Sequence, residues 1–147
     1  MPAPTHSDLS DPAELFRHSL RLLLDKDIAG WTALWAEDGV MEFPFAPPAW
    51  PKVLSGREAV AAYMRDYPDH IDLHEFRDLR VHRTDAEGTV IVEMRGVGRL
   101  VASGAPFDMS YIAVVTARHG RFVAYRDYWN PLAAVDSGQD LPGSTLR

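Results

Sequence analysis

Residues 71–130 contain four long strand-like stretches, IDLHEFRDLRVHRTD, TVIVEMRGVGRLVASG, PFDMSYIAVVTAR and RFVAYRDYWN, joined by the short connections DAEG, SGAP and RHG. Short, Gly-containing links between runs of β-branched and aromatic residues make antiparallel hairpins. This stretch of the chain therefore reads as a four-stranded meander, and whatever precedes it has to cover that sheet.

The preceding residues read as helices. DPAELFRHSLRLLLDKD opens with Asp11 as N-cap, Pro12 at the first helical position and Glu14 three residues after the cap. Leu15, Phe16, Ser19, Leu20, Leu22 and Leu23 follow at helical spacing. IAGWTALWAEDG predicts a second, short helix ending near Gly39, and VMEFPF a short strand stopped by Pro44. Four prolines between Pro44 and Pro51 make a stiff loop carrying Trp50, and GREAVAAYMRDY predicts a third helix ended by Pro68. The order is α-α-β-α-β-β-β-β, an α+β layer fold with three N-terminal helices on a curved, mostly antiparallel sheet. Such an arrangement leaves a cone-shaped interior suited to a small molecule. One domain over residues 1–147 is expected, with an ordered core from about 11 to 131 and loosely held tails on either side.

Composition narrows the partners. The hydrophobic fraction is 46%, with four Trp, as in an ordinary globular chain. A net charge of −6 without any cluster of Lys and Arg argues against nucleic acid or an anionic membrane as partner. The absence of cysteine removes thiolate chemistry and thiolate metal sites. The N-terminus shows no signal-like segment and no apolar run reaches membrane-spanning length, so a soluble, cytoplasmic protein is expected. His70, His74 and His82 form no recognisable metal motif, and no Gly-rich phosphate loop is present; no metal and no cofactor are expected.

The feature that asks for a function is RFVAYRDYWNP. Strand alternation puts Tyr125, Asp127 and Trp129 on one face and Arg126 and Tyr128 on the other. A carboxylate between two aromatic residues is costly to bury, and burial raises its pKa toward the range useful for proton transfer. The alternative is a core aspartate satisfied by a Tyr hydroxyl or an Arg, or one directed at a dimer face.

The order of elements resembles the NTF2-like superfamily, and more narrowly its SnoaL-like and ketosteroid-isomerase-like branch. The residues carrying the resemblance are DKDIAGWTALWAEDGVMEFP, the SGREAV opening of the third helix, and GRFVAYRDYW near the end. The resemblance implies a cone with an internal pocket, and family members commonly pair through the sheet. Functions in the superfamily differ widely, so the fold alone does not decide the function. The catalytic positions of ketosteroid isomerase fall here on Phe43, Ser19 and near Ile112, and steroid isomerisation is not expected. The Asp-Arg-Asp set of limonene epoxide hydrolase is matched only at its last member: YRDYW at Asp127 corresponds, while the other two positions fall on Met94 and Gly96. SnoaL-like polyketide cyclases carry a final-strand aspartate as acid or base where Asp127 stands.

The resemblance places the helix face bearing Tyr63 and Tyr67 at the pocket mouth. Tyr63 is a candidate donor to a carbonyl oxygen, and equally an aromatic residue packed with its hydroxyl at the rim. His70 and His74 follow as acid–base candidates or as solvent-facing imidazoles. Trp35, Phe43, Tyr67, Met94, Ile112, Tyr125 and Trp129 are the expected pocket walls, with Trp50 as a lid. Either Asp108 and Ser110 or Phe107, Met109 and Tyr111 face the cavity.

The expected function is cofactor-independent acid–base chemistry of cyclase, isomerase or hydrolase type on an apolar cyclic or polyketide-like molecule, with Asp127, Tyr63 and His70 as catalytic candidates. The alternatives are a non-catalytic binder using the same pocket and a scaffold using the outer sheet face. On that face Glu93, Arg95 and Arg99 alternate and offer a polar homodimer interface.

Overall fold

The computed structural model describes residues 9–132. The expected tails, apart from their innermost residues, lie outside the described residues. Helices α1 (Pro12–Leu24) and α2 (Ile28–Thr32) lead into strands β1 (Trp35–Glu42) and β2 (Val53–Ser55). Helices α3 (Arg57–Met64) and α4 (Tyr67–His70) follow, and then strands β3 (Ile71–Arg83), β4 (Thr89–Leu100), β5 (Pro106–Arg118) and β6 (Arg121–Trp129). The six strands form one curved sheet in the order β2-β1-β6-β5-β4-β3, antiparallel throughout except for the parallel pair β1 and β6. The helices pack on its inner face. The α+β cone is the architecture the hairpins required.

Two local readings are corrected. The second helix stops at Thr32, and Trp35–Gly39 belongs to β1. Its parallel pairing with β6 recruits this segment, with an irregularity between Trp35 and Val40. Gly39 makes that irregularity possible: a Cβ there would stand 2.9 Å from the Phe122 carbonyl oxygen. The proline-rich segment also ends in a strand, β2, which pairs with β1 through Val40 and Ser55. Pro68 stops α3 but opens the short α4 at one of its first positions, where a missing N–H costs nothing.

The start of α1 follows the sequence expectation: Asp11 accepts a hydrogen bond from the Ala13 N–H at 3.4 Å, and Pro12 opens the helix. The Arg83 guanidinium grips the same carboxylate with two bonds of 2.8 Å, which pins the helix start to the end of β3. Phe16 from α1, Trp31 from α2, Trp35 from β1 and Phe122 from β6 are at most 1% exposed. Trp35 lies 5.6 Å from Trp31, 5.7 Å from Phe122 and 5.9 Å from Tyr125, ring centre to ring centre. This aromatic cluster floors the cone.

Curvature comes from β-bulges. β3 slips register against β4 between Leu73 and Glu75 and again between Arg77 and Arg80, and Asp78 there takes a positive φ of 56°. At the first slip the two backbones close on each other. A Cβ on Gly98 would overlap the Asp72 carbonyl oxygen and come within 2.9 Å of the Leu73 Cα. Neither neighbour is a movable side-chain end, so Gly98→Ala is expected to destabilise the domain by about 1–3 kcal/mol, read as a lower urea midpoint at unchanged slope.

Candidate active site

Inside the cone lies a cavity of about 730 Å³, its open mouth included. Four phenols face it: Tyr63 from α3, Tyr67 from α4, Tyr111 from β5 and Tyr125 from β6. Trp31, Phe43, Trp50, Phe76 and Trp129 add five more aromatic rings. Met41, Met64, Met94 and Met109 also line it; with Met1 they account for all five methionines of the chain. Unbranched thioethers are adaptable, so these walls can reshape around a guest. Trp50 and Trp129 meet with ring centres 5.4 Å apart, which holds the proline-rich loop against the end of β6.

Among the described residues Asp127 is the single charged side chain lining this space. Its position follows from pairing. Directly opposed residues of an antiparallel pair share a face, and Asp127 opposes Ala113 while Tyr111 opposes Trp129. Ala113 is fully buried and too short to reach the carboxylate. The residue as a whole keeps some exposure, yet its Oδ1 is closed off from solvent and has no hydrogen-bond partner among the described residues. Burial alone raises its pKa from 3.8 to about 7. At neutral pH this carboxyl is therefore poised between its two protonation states.

Burial also pushes the four phenols up, and the Asp127 charge adds to each. They remain protonated at physiological pH and can only serve as neutral donors or acceptors. The site thus combines one titrating carboxyl with several fixed hydroxyls in apolar surroundings. That set can move a proton and hold an oxygen. Among the described residues no group of three or more His, Asp or Glu side chains is placed to hold a metal ion.

The structure brings Asp127, Tyr63, Phe43, Trp50, Tyr67, Met94, Tyr125 and Trp129 together around this cavity. It does not bring His70, Trp35 or Ile112. His70 Nε2 is 3.3 Å from Asp66 Oδ2 outside the cavity, and His74 pairs with Asp72 at 3.1 Å on the surface. Trp35 is 0% exposed within the floor, its Nε1 buried without a partner among the described residues, and Trp31 takes the place at the wall. Ile112 opposes Tyr128 on the outer face and is 45% exposed. The open choice on β5 falls to Phe107, Met109 and Tyr111, all turned inward, with Asp108 and Ser110 outside.

Residues 16–125 match the SnoaL-like domain family. The chain belongs to the SnoaL-like family. An uncharacterized Bacillus subtilis protein, YesE, is 40% identical over 131 residues, 89% of each chain. An uncharacterized PhzA/B-like protein of Pseudomonas aeruginosa is 40% identical over 124 residues, 84% of this chain and 87% of the other. A Bacillus subtilis crystal structure, provisionally described as an isomerase, superposes with a TM-score of 0.85 at 38% identity, covering 95% of this chain and 99% of its own. Solved structures named for the NTF2-like and ketosteroid-isomerase-like folds superpose with TM-scores of 0.69 at 21% and 19% identity, which shows the fold alone.

In this SnoaL-like chain Asp127 is the one match to the catalytic positions of the two neighbouring branches, and Phe43, Ser19, Met94 and Gly96 stand at others without serving as acid or base. Phe43 is a cavity wall, and the Ser19 hydroxyl donates to the Phe16 carbonyl at 2.6 Å inside its own helix. Met94 lines the cavity and Gly96 is buried beside it, while Arg95 lies on the outer face with Asp108 and Asp78. Sequence reasoning did not assign Trp31, Met41, Met64, Phe76, Met109 or Tyr111 to the site. For Met109 and Tyr111 strand alternation was the available signal, and it lacked only the register.

Proposed function

We propose that this SnoaL-like protein is a cofactor-independent acid–base enzyme acting on an apolar, ring-bearing small molecule, with chemistry of cyclase, isomerase or hydrolase type. The observation that carries this is the Asp127 carboxyl, with an unpartnered buried Oδ1, inside an otherwise apolar and aromatic cavity. In its ionised form Asp127 takes a proton from a carbon next to a carbonyl: the C–H bond breaks and an O–H bond forms on the carboxyl. The charge that develops on the carbonyl oxygen needs a donor, and Tyr63, held protonated by burial, is the proposed one. The acid then returns the proton to carbon or oxygen. Phe43, Trp50, Tyr67, Met94, Tyr125 and Trp129 would hold the ring system.

The test is deuterium exchange of the α-protons of β-tetralone in D₂O, followed by NMR with and without the protein. Exchange above the buffer rate is expected, rising about tenfold per pH unit up to about pH 7 and level above it, because the base form is the active one. Bound ketone that exchanges no faster than in buffer at any pH would sink the enzyme reading.

A second reading, a non-catalytic binder, is favoured by the Ser19, Phe43 and Met94 positions, which supply no second acid or base. Under it, ligand affinity survives Asp127→Asn and no exchange is seen in either protein.

The outer sheet face is proposed as a homodimer contact. Phe45 is 57% exposed there, 5.1 Å from the Tyr128 ring, and it shares a shallow groove with Ile112, Glu93 and Arg95. An apolar patch rimmed by charges is suited to self-association. Ile112→Glu is expected to weaken the dimer at least about tenfold by sedimentation, equivalent to roughly 1.4 kcal/mol. Among the described residues no helix is long and apolar enough to cross a membrane.

A further inference from the structure

The polarity of the cavity is one-sided. Among the described residues no Lys, Arg or His lines it, and its single charged group is a carboxylate. The nearby lysines are engaged elsewhere: Lys26 Nζ donates to the Leu73 carbonyl and pairs with Asp72 at 3.2 Å, and Lys52 Nζ donates to the Ala46 carbonyl. A ligand carboxylate or phosphate would enter beside Asp127 with no cation to balance it, an expensive arrangement in apolar surroundings. The Asp127 Oδ1, by contrast, is a buried acceptor that lacks a donor. Nine aromatic rings surround the same space, and aromatic faces attract cations and tolerate their partial desolvation.

We propose that the cavity takes a hydrophobic, ring-bearing amine whose protonated nitrogen donates to the Asp127 carboxylate among these aromatic rings. This rests on the reading of the Asp127 cavity as the functional site and adds the charge class of its ligand. Ring-bearing anions are refused.

Among the described residues the ionisable groups facing Asp127 are all phenols: Tyr63 on α3, Tyr67 on α4, Tyr111 on β5 and Tyr125 on β6. α1, α2, β1, β3 and β4 contribute only apolar side chains to the cavity wall, among them Leu23, Trp31, Met41, Phe76 and Met94. Since the phenols stay protonated at physiological pH, the pH dependence of cation binding belongs to Asp127. A primary alkylamine titrates near the lysine range, about 10, and stays charged across the measurement.

The experiment is calorimetric titration of the full chain with three matched probes, naphthylmethylamine, naphthylmethanol and naphthoate, between about pH 5.5 and 8.5. The amine is expected to bind at least about tenfold more tightly than the alcohol at pH 8, and naphthoate not at all. Amine affinity should fall about tenfold per pH unit below about pH 7, while alcohol affinity stays nearly level. In Asp127→Asn the amine should lose its advantage and its pH dependence; retained alcohol binding shows that the variant is folded with its cavity intact. Equal binding of alcohol and amine, or preferred binding of naphthoate, overturns the amine proposal and leaves the cavity as the ligand site. Failure of all three probes to bind overturns both readings.

Discussion

Asp127→Asn is expected to slow α-proton exchange of a bound ketone by about 10²–10⁴-fold relative to the wild-type chain. The substitution preserves the shape of the side chain and the surrounding aromatic walls, and it removes only the group that titrates. Among the described residues no other side chain lining the cavity can replace it near neutral pH, because the phenols of Tyr63, Tyr67, Tyr111 and Tyr125 are all pushed upward by burial. The loss should therefore appear in kcat and kcat/KM together, with KM little changed. A ketone that binds Asp127→Asn normally and still exchanges at the wild-type rate would move the chemistry away from this strand. Tyr63→Phe should have a smaller effect, concentrated in kcat, because a neutral donor assists the oxygen without carrying the transferred proton.

The sheet and the position of Asp127 were legible because strand period and hairpin length are local properties. The run from Tyr125 to Trp129 needed only alternation to place the carboxylate with two aromatic neighbours. Ile112, taken as a wall residue from the resemblance, shows what alternation left open. Counting straight back from the Arg118–Arg121 turn pairs Asp127 with Ile112, but a bulge between Thr116 and Ala117 gives β6 one extra residue and moves the partner to Ala113. A slip of one residue exchanges the faces of a strand, so Ile112 belongs to the outside and Tyr111 to the cavity. Trp35 failed for another reason: its segment contains Ala, Leu and Trp at spacings that suit a helix, and only pairing with the distant β6 makes it a strand. His70 was plausible by chain position alone, and the nearby Asp66 holds its ring away from the cavity.

The same Asp127→Asn protein is expected to be more stable than the wild type at pH 8, the reverse of what replacing a satisfied core residue would do. An aspartate pKa of about 7 in the folded chain, against the ordinary 3.8, means that the folded state favours the protonated form. Between about pH 4 and 7 the unfolded chain has released this proton and the folded chain still holds it. The Asp127 contribution to stability therefore falls as pH rises through that window and is level above it. At about 1.4 kcal/mol per pKa unit, the ionised carboxylate costs the fold up to about 4 kcal/mol at pH 8. The asparagine amide returns part of this through its own unmet hydrogen bonds, about 1–3 kcal/mol, leaving an expected net gain of about 1–3 kcal/mol. Urea unfolding at pH 5 and pH 8 checks both parts, since the difference between the two proteins should shrink at the lower pH. A destabilised Asp127→Asn at pH 8 would mean that the carboxylate is held by partners and belongs to the framework. A stabilised one means that the chain keeps an unfavourable charge at the centre of its cavity, and a group retained at that cost is retained for its chemistry.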